Sequence, residues 1–443
     1  MLYPDDNSQS AKLYGKARSL FPGGALRHPT FTQPYPVYAA TASGCHITDV
    51  DGVERIDFVN NFSALIHGHA HPKLVEVACD QIRGVTGTTM ATETAHWLAE
   101  LLIDRVPGVE QVCFGNSGTE AVLFAVKAAR AYTGRPKIAK IEGGYHGQYD
   151  LIQHSFTSTP ANWGDEDNPN NVPLDEGTPQ EVLDLVVTLS PNNVEASRTA
   201  IRRHADSLAA IIVDPVPQRL MGIPLSDEYL TMLREETSQH GIVLVFDEII
   251  SLRLGKHGTQ GAVGITPDLT TMGKIIGGGY PIGALGGKRE VMSVFDPSNG
   301  PQRVFHGGTY SANPVSTGVG FAAMQLLDDA AFEQLALQGN RLRAGLREAI
   351  RVSGFPAQAN GQGSFTGVVL AEKPYSTYRD TVLAMGPDYM ARARSFFLHM
   401  LNGGALISPQ CVFFGSTQMT NDDVDKTIEA AFTAFRKLAD EFS

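Results

Sequence analysis

The fold is set by two segments of the 443-residue chain, Gly241-Ile-Val-Leu-Val-Phe-Asp-Glu-Ile-Ile250 and Asp268-Leu-Thr-Thr-Met-Gly-Lys-Ile-Ile-Gly-Gly-Gly279. Residues 242–246 form an unbroken apolar run, whose length and β-branched content predict a strand buried on both faces, as in a parallel sheet. Asp247 follows where the run ends, and open α/β sheets bind ligands at the carboxyl ends of their strands. Lys274 comes next in a glycine-rich turn. We therefore expect Asp247 and Lys274 to hold one cofactor.

The chemistry of this pair suggests which cofactor. Pyridoxal phosphate needs a lysine amine that holds it as a Schiff base and a carboxylate that keeps its ring nitrogen protonated. A strand-end carboxylate and a lysine in a glycine-lined turn meet both needs. The same residues allow a second interpretation, in which Asp247 caps a turn and Lys274 forms an ion pair with Glu248. This stretch alone leaves both interpretations open.

The composition describes a globular chain with a large core, because 42% of its residues are hydrophobic and 19% are charged. Its length predicts two or more substructures. A net charge of −12 argues against nucleic acid and anionic membrane surfaces as partners. The N-terminus lacks the basic region and apolar core of a signal peptide, and no apolar run reaches membrane-spanning length. We therefore expect a cytoplasmic protein.

Metal ligands are not predicted. The chain has four scattered cysteines: Cys45, Cys79, Cys113 and Cys411. Their spacing gives neither a disulfide framework nor a zinc signature. Three alternating histidines, at 67, 69 and 71, suggest a metal site, but nothing downstream supplies the missing ligands. A turn that leads into a helix starting near Pro72 is the favoured interpretation.

Polar groups follow several predicted strands. Ser117 comes after a short strand at 112–114 and can cap a helix, with Glu120 completing a capping box. Such a helix start, next to a strand end, can bind phosphate, although an ordinary capping box has the same sequence. Tyr145 follows the strand at 137–141 behind two glycines. It can stack on a flat ligand or serve as a core or turn residue.

The remaining segments indicate how the rest of the chain is organised. Residues 150–190 are rich in Pro, Asn and Asp and are predicted to form a long surface loop. Residues 208–213 form a buried strand that ends at Asp214, and the C-terminal third suggests a smaller α+β domain. Arg27, in a proline-rich segment, can grip a carboxylate or lie on the surface as most arginines do. The spacings of a P-loop, a nicotinamide fingerprint and a hydrolase elbow are absent from the sequence.

Taken together, the motifs resemble the class III pyridoxal-phosphate aminotransferases. The resemblance rests on five motifs in order: Asn116-Ser-Gly-Thr-Glu-Ala121, Gly144-Tyr-His-Gly147, Phe246-Asp-Glu-Ile249, Met272-Gly-Lys274 and Gly308-Thr309. It implies an α/β protein of fold type I. Its large domain has a mainly parallel seven-stranded sheet flanked by helices, and its smaller α+β domain is built from both termini. We expect an N-terminal segment with part of the small domain over 1–60, the large domain over 61–327 and the rest of the small domain over 328–443. The resemblance also implies a homodimer with shared active sites.

The resemblance assigns a role to each motif residue. Lys274 would hold the cofactor covalently and shuttle the proton, and Asp247 would bind the pyridine nitrogen. Three consecutive residues, Ser117, Gly118 and Thr119, would cradle the phosphate, with Thr309 reaching it from the neighbouring subunit. Tyr145 and Ile249 would cover the two ring faces.

Some positions depart from the family pattern. The usual Glu-Pro followed by a residue and Gln becomes Asp214-Pro-Val-Pro-Gln218, which puts the contact to the ring oxygen in doubt. Two branches are similar, namely glutamate-1-semialdehyde aminomutases and aminotransferases of β-amino acids. In the second branch an arginine of the N-terminal loop receives the substrate carboxylate, which matches Arg27. Ile407-Ser-Pro-Gln-Cys411 lacks the aminomutase pattern and carries Gln410 where the β-amino-acid branch can have a second arginine.

The sequence thus predicts an aminotransferase that moves an amino group between an amino acid and a keto acid by a ping-pong Schiff-base mechanism. β-Amino and aromatic amino acids are candidate donors. The alternative is an isomerase of the 2,1-aminomutase type, which keeps the nitrogen on one molecule. A protein that binds the cofactor without catalysis is disfavoured, because it would not need both Lys274 and Asp247.

Overall fold

The structure is a computed structural model that describes residues 2–298, 300–373 and 375–442. The chain divides into two compact units. The terminal unit comprises Met1–Pro72, Glu333–Lys373 and Met385–Ser443, and the central unit comprises Lys73–Phe332 and Pro374–Ala384. The sequence had suggested divisions after residues 60 and 327.

The elements follow in chain order. The strands are β1 (Ala39–Ser43), β2 (His46–Asp49), β3 (Glu54–Asp57), β4 (Gln111–Gly115), β5 (Lys137–Ile141), β6 (Gly164–Asp165), β7 (Asn168–Pro169), β8 (Val186–Leu189), β9 (Leu208–Val213), β10 (Val243–Asp247), β11 (Leu269–Gly273), β12 (Gly283–Gly287), β13 (Gln358–Gln362), β14 (Phe365–Val369), β15 (Ala405–Leu406) and β16 (Val412–Phe414). The helices are α1 (Gln9–Leu20), α2 (Asn60–Ser63), α3 (Pro72–Gly84), α4 (Glu93–Arg105), α5 (Gly118–Thr133), α6 (Gln180–Leu183), α7 (Val194–His204), α8 (Asp227–His240), α9 (Gly258–Val263), α10 (Arg289–Met292), α11 (Pro314–Leu326), α12 (Asp329–Ser353), α13 (Tyr378–Met385), α14 (Tyr389–Asn402) and α15 (Asn421–Glu441).

The central unit is organised around a sheet that, within the described residues, has seven strands in the order β4-β12-β11-β10-β9-β5-β8. β12 runs antiparallel to both neighbours, and the other pairs are parallel. Alternate residues of β10 enter two different hydrophobic clusters, Val243 and Val245 on one face and Leu244 and Phe246 on the other. The predicted strand buried on both faces is therefore confirmed, as is the mainly parallel sheet flanked by helices.

Residues 150–190 differ from the predicted surface loop. The segment includes β8, whose residues are all buried and which pairs in parallel with β5 at one edge of the sheet. The apolar run at 185–187 indicates this strand, but the polar residues on either side of it obscured the signal. The rest of the segment holds only the short β6–β7 hairpin and the one-turn helix α6.

The terminal unit joins both ends of the chain. β2 and β3 form a hairpin, and Gly52 adopts a φ of 81° in its turn. β15 then pairs in parallel with β3, placing Ala405 opposite Ile56. A second sheet has the order β13-β14-β16. This confirms a smaller α+β unit built from both termini.

Among the described residues, no helix has both the length and the apolar character needed to cross a bilayer.

Candidate active site

One edge of the central sheet gathers most of the predicted site residues. Because β4, β5, β9, β10 and β11 all run in the same direction, their carboxyl ends lie along this edge. The segments that follow these strands carry the polar motifs, namely Asn116–Thr119, Gly144–His146, Asp214, Asp247–Ile249 and Lys274.

Asp247 is the last residue of β10, and both of its carboxylate oxygens have partners. Oδ2 lies 2.8 Å from Nδ1 of His146, and Oδ1 accepts hydrogen bonds from Thr271 Oγ1 at 2.9 Å and from the Ile249 amide at 3.2 Å. The residue is buried, so its position is fixed by neighbours from three elements. The bond from the Ile249 amide also makes Asp247 a turn cap.

His146 is a site residue to which the sequence analysis gave no role. Its ring is fully buried, and burial lowers its pKa against the opposing effect of Asp247. Its Nε2 has no hydrogen-bond partner in the described part of the chain. The histidine thus orients the Asp247 carboxylate. Its position one residue after Tyr145 in the Gly144-Tyr-His-Gly147 motif was the available signal.

Lys274 begins a single 3₁₀ turn directly after β11, with a φ of 51°. Non-glycine residues in this left-handed region are strained and cluster at functional sites. Burial lowers the pKa of its amine to about 8, although Asp247 and Asp214 both act to raise it. A much larger fraction of the amine is therefore unprotonated near neutral pH than in an ordinary lysine.

Glu248 does not pair with Lys274, so that part of the second interpretation is wrong. Its carboxylate is buried at the start of α9. It accepts hydrogen bonds from the Thr259 amide at 2.7 Å and from the amide and side chain of Gln260 at 3.1 and 2.9 Å. These donors satisfy Glu248, and the acidic groups that act to raise the pKa of Lys274 are Asp247 and Asp214.

Asp214 follows β9 and is also buried. Burial and the nearby Asp247 raise its pKa well above the usual carboxylic acid value, while a hydrogen bond from the Val216 amide at 3.0 Å opposes this. We expect a neutral acid here, since two carboxylates in one buried site do not both ionise readily. Gln218 is half-buried at the start of the next 3₁₀ turn.

The start of α5 forms the predicted helix cap with one difference. Ser117 Oγ accepts from the Glu120 amide at 3.2 Å. The Glu120 carboxylate accepts from the Asn116 amide at 2.5 Å rather than from the Ser117 amide, so the reciprocal capping box is wrong by one residue. The amides of Gly118 and Thr119 lie in the first helical turn, which has no intrahelical acceptors for them.

Two glycines allow close packing around this helix start. A Cβ on Gly118 would lie 2.6 Å from Ile249 Cδ1, and a Cβ on Gly283 would lie 1.9 Å from the Ser117 carbonyl oxygen. Gly118 therefore brings the Ile249 side chain against the helix start, and Gly283 lets β12 pass beneath it. An anion bound to the free amides would meet the positive end of the α5 dipole.

Tyr145 has a partly open ring at the same edge. It is 40% exposed, and its centroid lies 5.3 Å from that of Phe156. Burial of the remainder raises the pKa of its hydroxyl. The Arg219 guanidinium lies 5.1 Å from the Phe156 centroid and 6.0 Å from that of Tyr378. No sequence motif indicated a role for Arg219, because the aromatic residues that it contacts are distant from it in the chain.

Thr309 lies in an exposed loop of the central unit. His306 Nε2 is 2.8 Å from the Phe114 carbonyl oxygen, and a Cβ on Gly308 would lie 3.4 Å from Asn116 Nδ2. The loop therefore runs beside the end of β4. Phe305 and Tyr310 are unusually exposed for aromatic residues, at 74% and 66%.

Arg27 and Gln410 belong to the terminal unit. Arg27 is exposed, donates to Asn61 Oδ1 at 3.1 Å and lies 5.5 Å from the Phe62 ring centroid. Since Asn61 is neutral, the arginine charge is not compensated by this contact. Gln410 is exposed, and its side-chain oxygen accepts from the Ser408 hydroxyl.

The segment that contacts Arg27 is strained. Four consecutive residues, Asn60 to Ser63, have φ values between 48° and 73°. Left-handed geometry costs each non-glycine residue roughly 1–2 kcal/mol. Asp57 Oδ1 compensates in part by accepting from the Val59 amide at 2.7 Å and the Asn60 amide at 3.0 Å. A strained segment that presents side chains to an exposed arginine suggests a functional role.

The three alternating histidines do not converge on a shared point. His69 Nε2 lies 2.8 Å from Asp57 Oδ2, and His67 Nδ1 lies 3.0 Å from Thr417 Oγ1. α3 begins at Pro72, as the favoured interpretation predicted.

The donor set at the sheet edge fits pyridoxal phosphate. It combines an amine of lowered pKa, a buried carboxylate with a fixed position, a helix start with free amides and a partly open aromatic ring. These groups match the aldehyde, the ring nitrogen, the phosphate and the ring face of that cofactor.

Comparisons with known proteins agree with this fit. The model of the family Aminotransferase class-III matches residues 29–430. Glutamate-1-semialdehyde 2,1-aminomutase 2 of Halalkalibacterium halodurans is 37% identical over 97% of this chain and 98% of its own.

Solved structures are also similar. An omega-transaminase from Sphaerobacter thermophilus has a TM-score of 0.96 and 46% identity, covering 98% of this chain and 99% of its own. A β-phenylalanine aminotransferase from Variovorax paradoxus has a TM-score of 0.86 and 32% identity, covering 97% of this chain and 94% of its own. The chain belongs to the class III aminotransferases, a family of enzymes that use pyridoxal phosphate.

Proposed function

We propose that this enzyme is an aminotransferase that takes the amino group of an amino acid whose carboxylate binds Arg27 and gives it to a keto acid. β-Amino acids and aromatic amino acids are the candidate donors. The observation that carries the proposal is the Lys274 amine, with a pKa lowered to about 8, at the same buried sheet edge as Asp247.

In the proposed chemistry, bound pyridoxal phosphate supplies an electron sink that makes a proton on the substrate carbon acidic. Lys274 accepts that proton at Nζ and returns it at a different carbon, which is the step that distinguishes transfer from simple binding. Asp247 holds negative charge at the ring nitrogen, and His146 and Thr271 keep its oxygens in place. The raised pKa of Asp214 disfavours a second negative charge beside Asp247.

The other assigned residues position the cofactor. Ser117, Gly118 and Thr119 would bind the phosphate at the start of α5, and Tyr145 and Ile249 would cover the ring faces. We propose a homodimer in which Thr309 of a second copy completes the phosphate site. The exposed Phe305 and Tyr310 on either side of that loop support this, since large exposed aromatic side chains mark protein interfaces.

Substrate recognition is proposed to rest on the terminal unit. Arg27 carries a charge that its neutral contact Asn61 leaves available, and bidentate arginine is well suited to carboxylates. Gln410 would replace a second cation, so we expect the keto acid to be recognised differently from the family branch that has arginine there. The 46% identity to an omega-transaminase and the departure at 407–411 support transfer over isomerisation.

The isomerase remains the second candidate, because an aminomutase from Halalkalibacterium halodurans is 37% identical over nearly the whole chain. A half-reaction screen separates the two. The cofactor-loaded enzyme is mixed, without keto acid, with α-amino acids, β-amino acids and simple amines one at a time, and the visible spectrum is recorded. We expect one class of carboxylate-bearing donors to bleach the visible absorbance, and a keto acid to restore it.

Product analysis completes the experiment. Formation of a new keto product in the first step and a new amino acid in the second establishes transfer. If a substrate is instead converted with its nitrogen retained and without any keto acid, the isomerase assignment replaces ours. If the protein keeps no visible absorbance after incubation with pyridoxal phosphate and removal of the free cofactor, the roles assigned to Lys274 and Asp247 are wrong.

A further inference from the structure

A second cluster of chemically reactive side chains lies in the terminal unit, apart from every residue assigned above. It consists of Cys45, which precedes β2, His46, which is the first residue of β2, and Asp423, which lies in the first turn of α15. One ligand atom from each, the Cys45 sulfur, a His46 ring nitrogen and an Asp423 oxygen, lie within 4.8 Å of one another. We propose that these three residues form a zinc site.

The spacing suits a tetrahedral ion. Zinc bonds of about 2.0–2.3 Å place ligand atoms roughly 3.3–3.8 Å apart in a tetrahedron. His46 Nε2 already lies 3.2 Å from Asp423 Oδ1. The Cys45 sulfur lies within 4.8 Å of the other two ligand atoms, so a local shift of about 1 Å on binding would bring it to the tetrahedral spacing.

Each oxygen of Asp423 has a separate task. Oδ2 accepts from the Thr420 amide at 2.8 Å and from the Thr420 hydroxyl at 2.7 Å, which completes the capping box of α15. Oδ1 is the oxygen that faces His46. The helix cap therefore fixes the carboxylate with one oxygen directed at the cluster, as a preformed ligand requires.

His46 also has the support expected of a zinc ligand. Its second nitrogen, Nδ1, lies 3.5 Å from Glu54 Oε1 on the neighbouring strand β3. Zinc-bound histidines commonly donate their other ring N–H to a carboxylate, which fixes the tautomer and the ring orientation. Glu54 would act in this way and leave Nε2 for the metal.

One member of the cluster, His46, lines a cavity. A cavity of about 430 Å³ is lined by His46, Glu54, Lys426 and Glu429, among others. Lys426 pairs with Asp422 at 2.7 Å, which reduces the repulsion of an incoming cation. Cys45 and Asp423 are buried, and His46 is half-exposed and lines this cavity. Water from the cavity would occupy the fourth position.

The ligand chemistry favours zinc over other common ions. A thiolate, an imidazole and a carboxylate together match the borderline softness of zinc, whereas calcium and magnesium prefer oxygen ligands only. Binding forms a zinc–sulfur bond as the Cys45 thiol loses its proton to solvent, and no electron is transferred. Sequence spacing gave no signature because the third ligand lies more than 370 positions after the first two.

The test measures zinc binding to the full-length, cofactor-loaded enzyme after treatment with a chelator and removal of that chelator. Zinc is titrated in competition with a chromogenic indicator. We expect one site per chain with a dissociation constant at or below the micromolar range. His46→Gln should weaken zinc binding at least 100-fold. Glu54→Gln should weaken zinc binding by about 10–100-fold, as is typical when a carboxylate that hydrogen-bonds a zinc ligand is removed. The control variant His28→Gln changes an exposed histidine of the same unit and should leave the zinc affinity unchanged.

Cobalt replaces zinc in a second measurement that reports the ligands directly. Tetrahedral cobalt with a thiolate ligand has visible bands at longer wavelength than the cofactor, and these should vanish in Cys45→Ser but remain in Cys79→Ser, the matched exposed cysteine. Equal zinc affinity in the wild type and His46→Gln, or no zinc binding, would overturn the proposal. So would a cobalt spectrum without thiolate bands. His46→Gln changes a half-exposed side chain, so this test does not depend on whether Cys45→Ser folds.

Discussion

The edge of the central sheet that carries Asp247 and Lys274 and the parts of the terminal unit that carry the proposed substrate residues, Arg27 and Gln410, are built in opposite ways. Asp247 is only 4% exposed, and its oxygens are held by side chains from β11 and from the turn after β5. Arg27 is exposed and has one neutral side-chain contact, and Gln410 bonds to its close neighbour Ser408. A buried site needs all its partners at once, whereas exposed residues can change without loss of the fold. On the proposed assignments, the residues that hold the cofactor are therefore constrained, and those that select the substrate are open to variation.

The largest expected effect comes from Lys274→Ala. Removing the amine removes the proton acceptor, so we expect single-turnover transamination to fall by up to about 10⁴-fold. Lys127→Ala, at an exposed position of α5, should leave the rate unchanged. A Lys274→Ala enzyme that kept even a tenth of the rate would remove this residue from the chemistry.

Asp247→Asn should come next. The amide keeps the shape but not the charge, and loss of one preorganised electrostatic group typically costs about 10²–10³-fold in rate. Thr271→Val removes one hydrogen bond to Oδ1 but leaves the charge, so its rate should fall less than about tenfold. If both variants lost activity equally, hydrogen bonding rather than charge would explain the role of Asp247.

Arg27→Ala tests the exposed side of the comparison. A hydrogen-bonded charge pair contributes about 1.5–3 kcal/mol, so kcat/KM for carboxylate-bearing donors should fall by roughly 10–150-fold. Amines without a carboxylate should react as before, which separates lost recognition from lost folding. Arg18→Ala on α1 serves as the matched surface control. An equal loss for both kinds of donor would contradict the assigned contact.

The smallest effect is a pH dependence. The Lys274 amine reacts with the cofactor only when unprotonated, and burial lowers its pKa to about 8. The unprotonated fraction therefore rises about tenfold between pH 7 and pH 9 and then levels off. Mixing cofactor-free enzyme with pyridoxal phosphate at each pH and following the visible absorbance measures this rate. A rate that kept rising to pH 10 would indicate an ordinary lysine pKa.

The parts of this structure that the sequence predicted depend on local pattern. The apolar run before Asp247 and the helix start at Ser117 are fixed by residues within a few positions of one another. The resemblance supplied the number of strands in the central sheet, which no local pattern contains.

The features that the sequence did not predict depend on contacts between distant positions. His146 and Asp247 lie 101 positions apart, and Arg219 meets Tyr378 across 159. Glu120 bonds to Asn116 rather than Ser117 because the chain turns at the end of β4, which a capping pattern cannot specify. β8 was missed because its burial comes from pairing with β5 and not from a long apolar run.

The pairing of β3 with β15 has a consequence for synthesis of the chain. The strand ending at Asp57 cannot gain its parallel neighbour until residues 405–406 have left the ribosome. At about 5–20 residues per second, this delay lasts roughly 20 to 70 seconds. All seven strands of the central sheet are complete well before then, since the last of them ends at Gly287. The order of translation thus allows the edge of the central sheet that carries Asp247 and Lys274 to form before the terminal unit is complete.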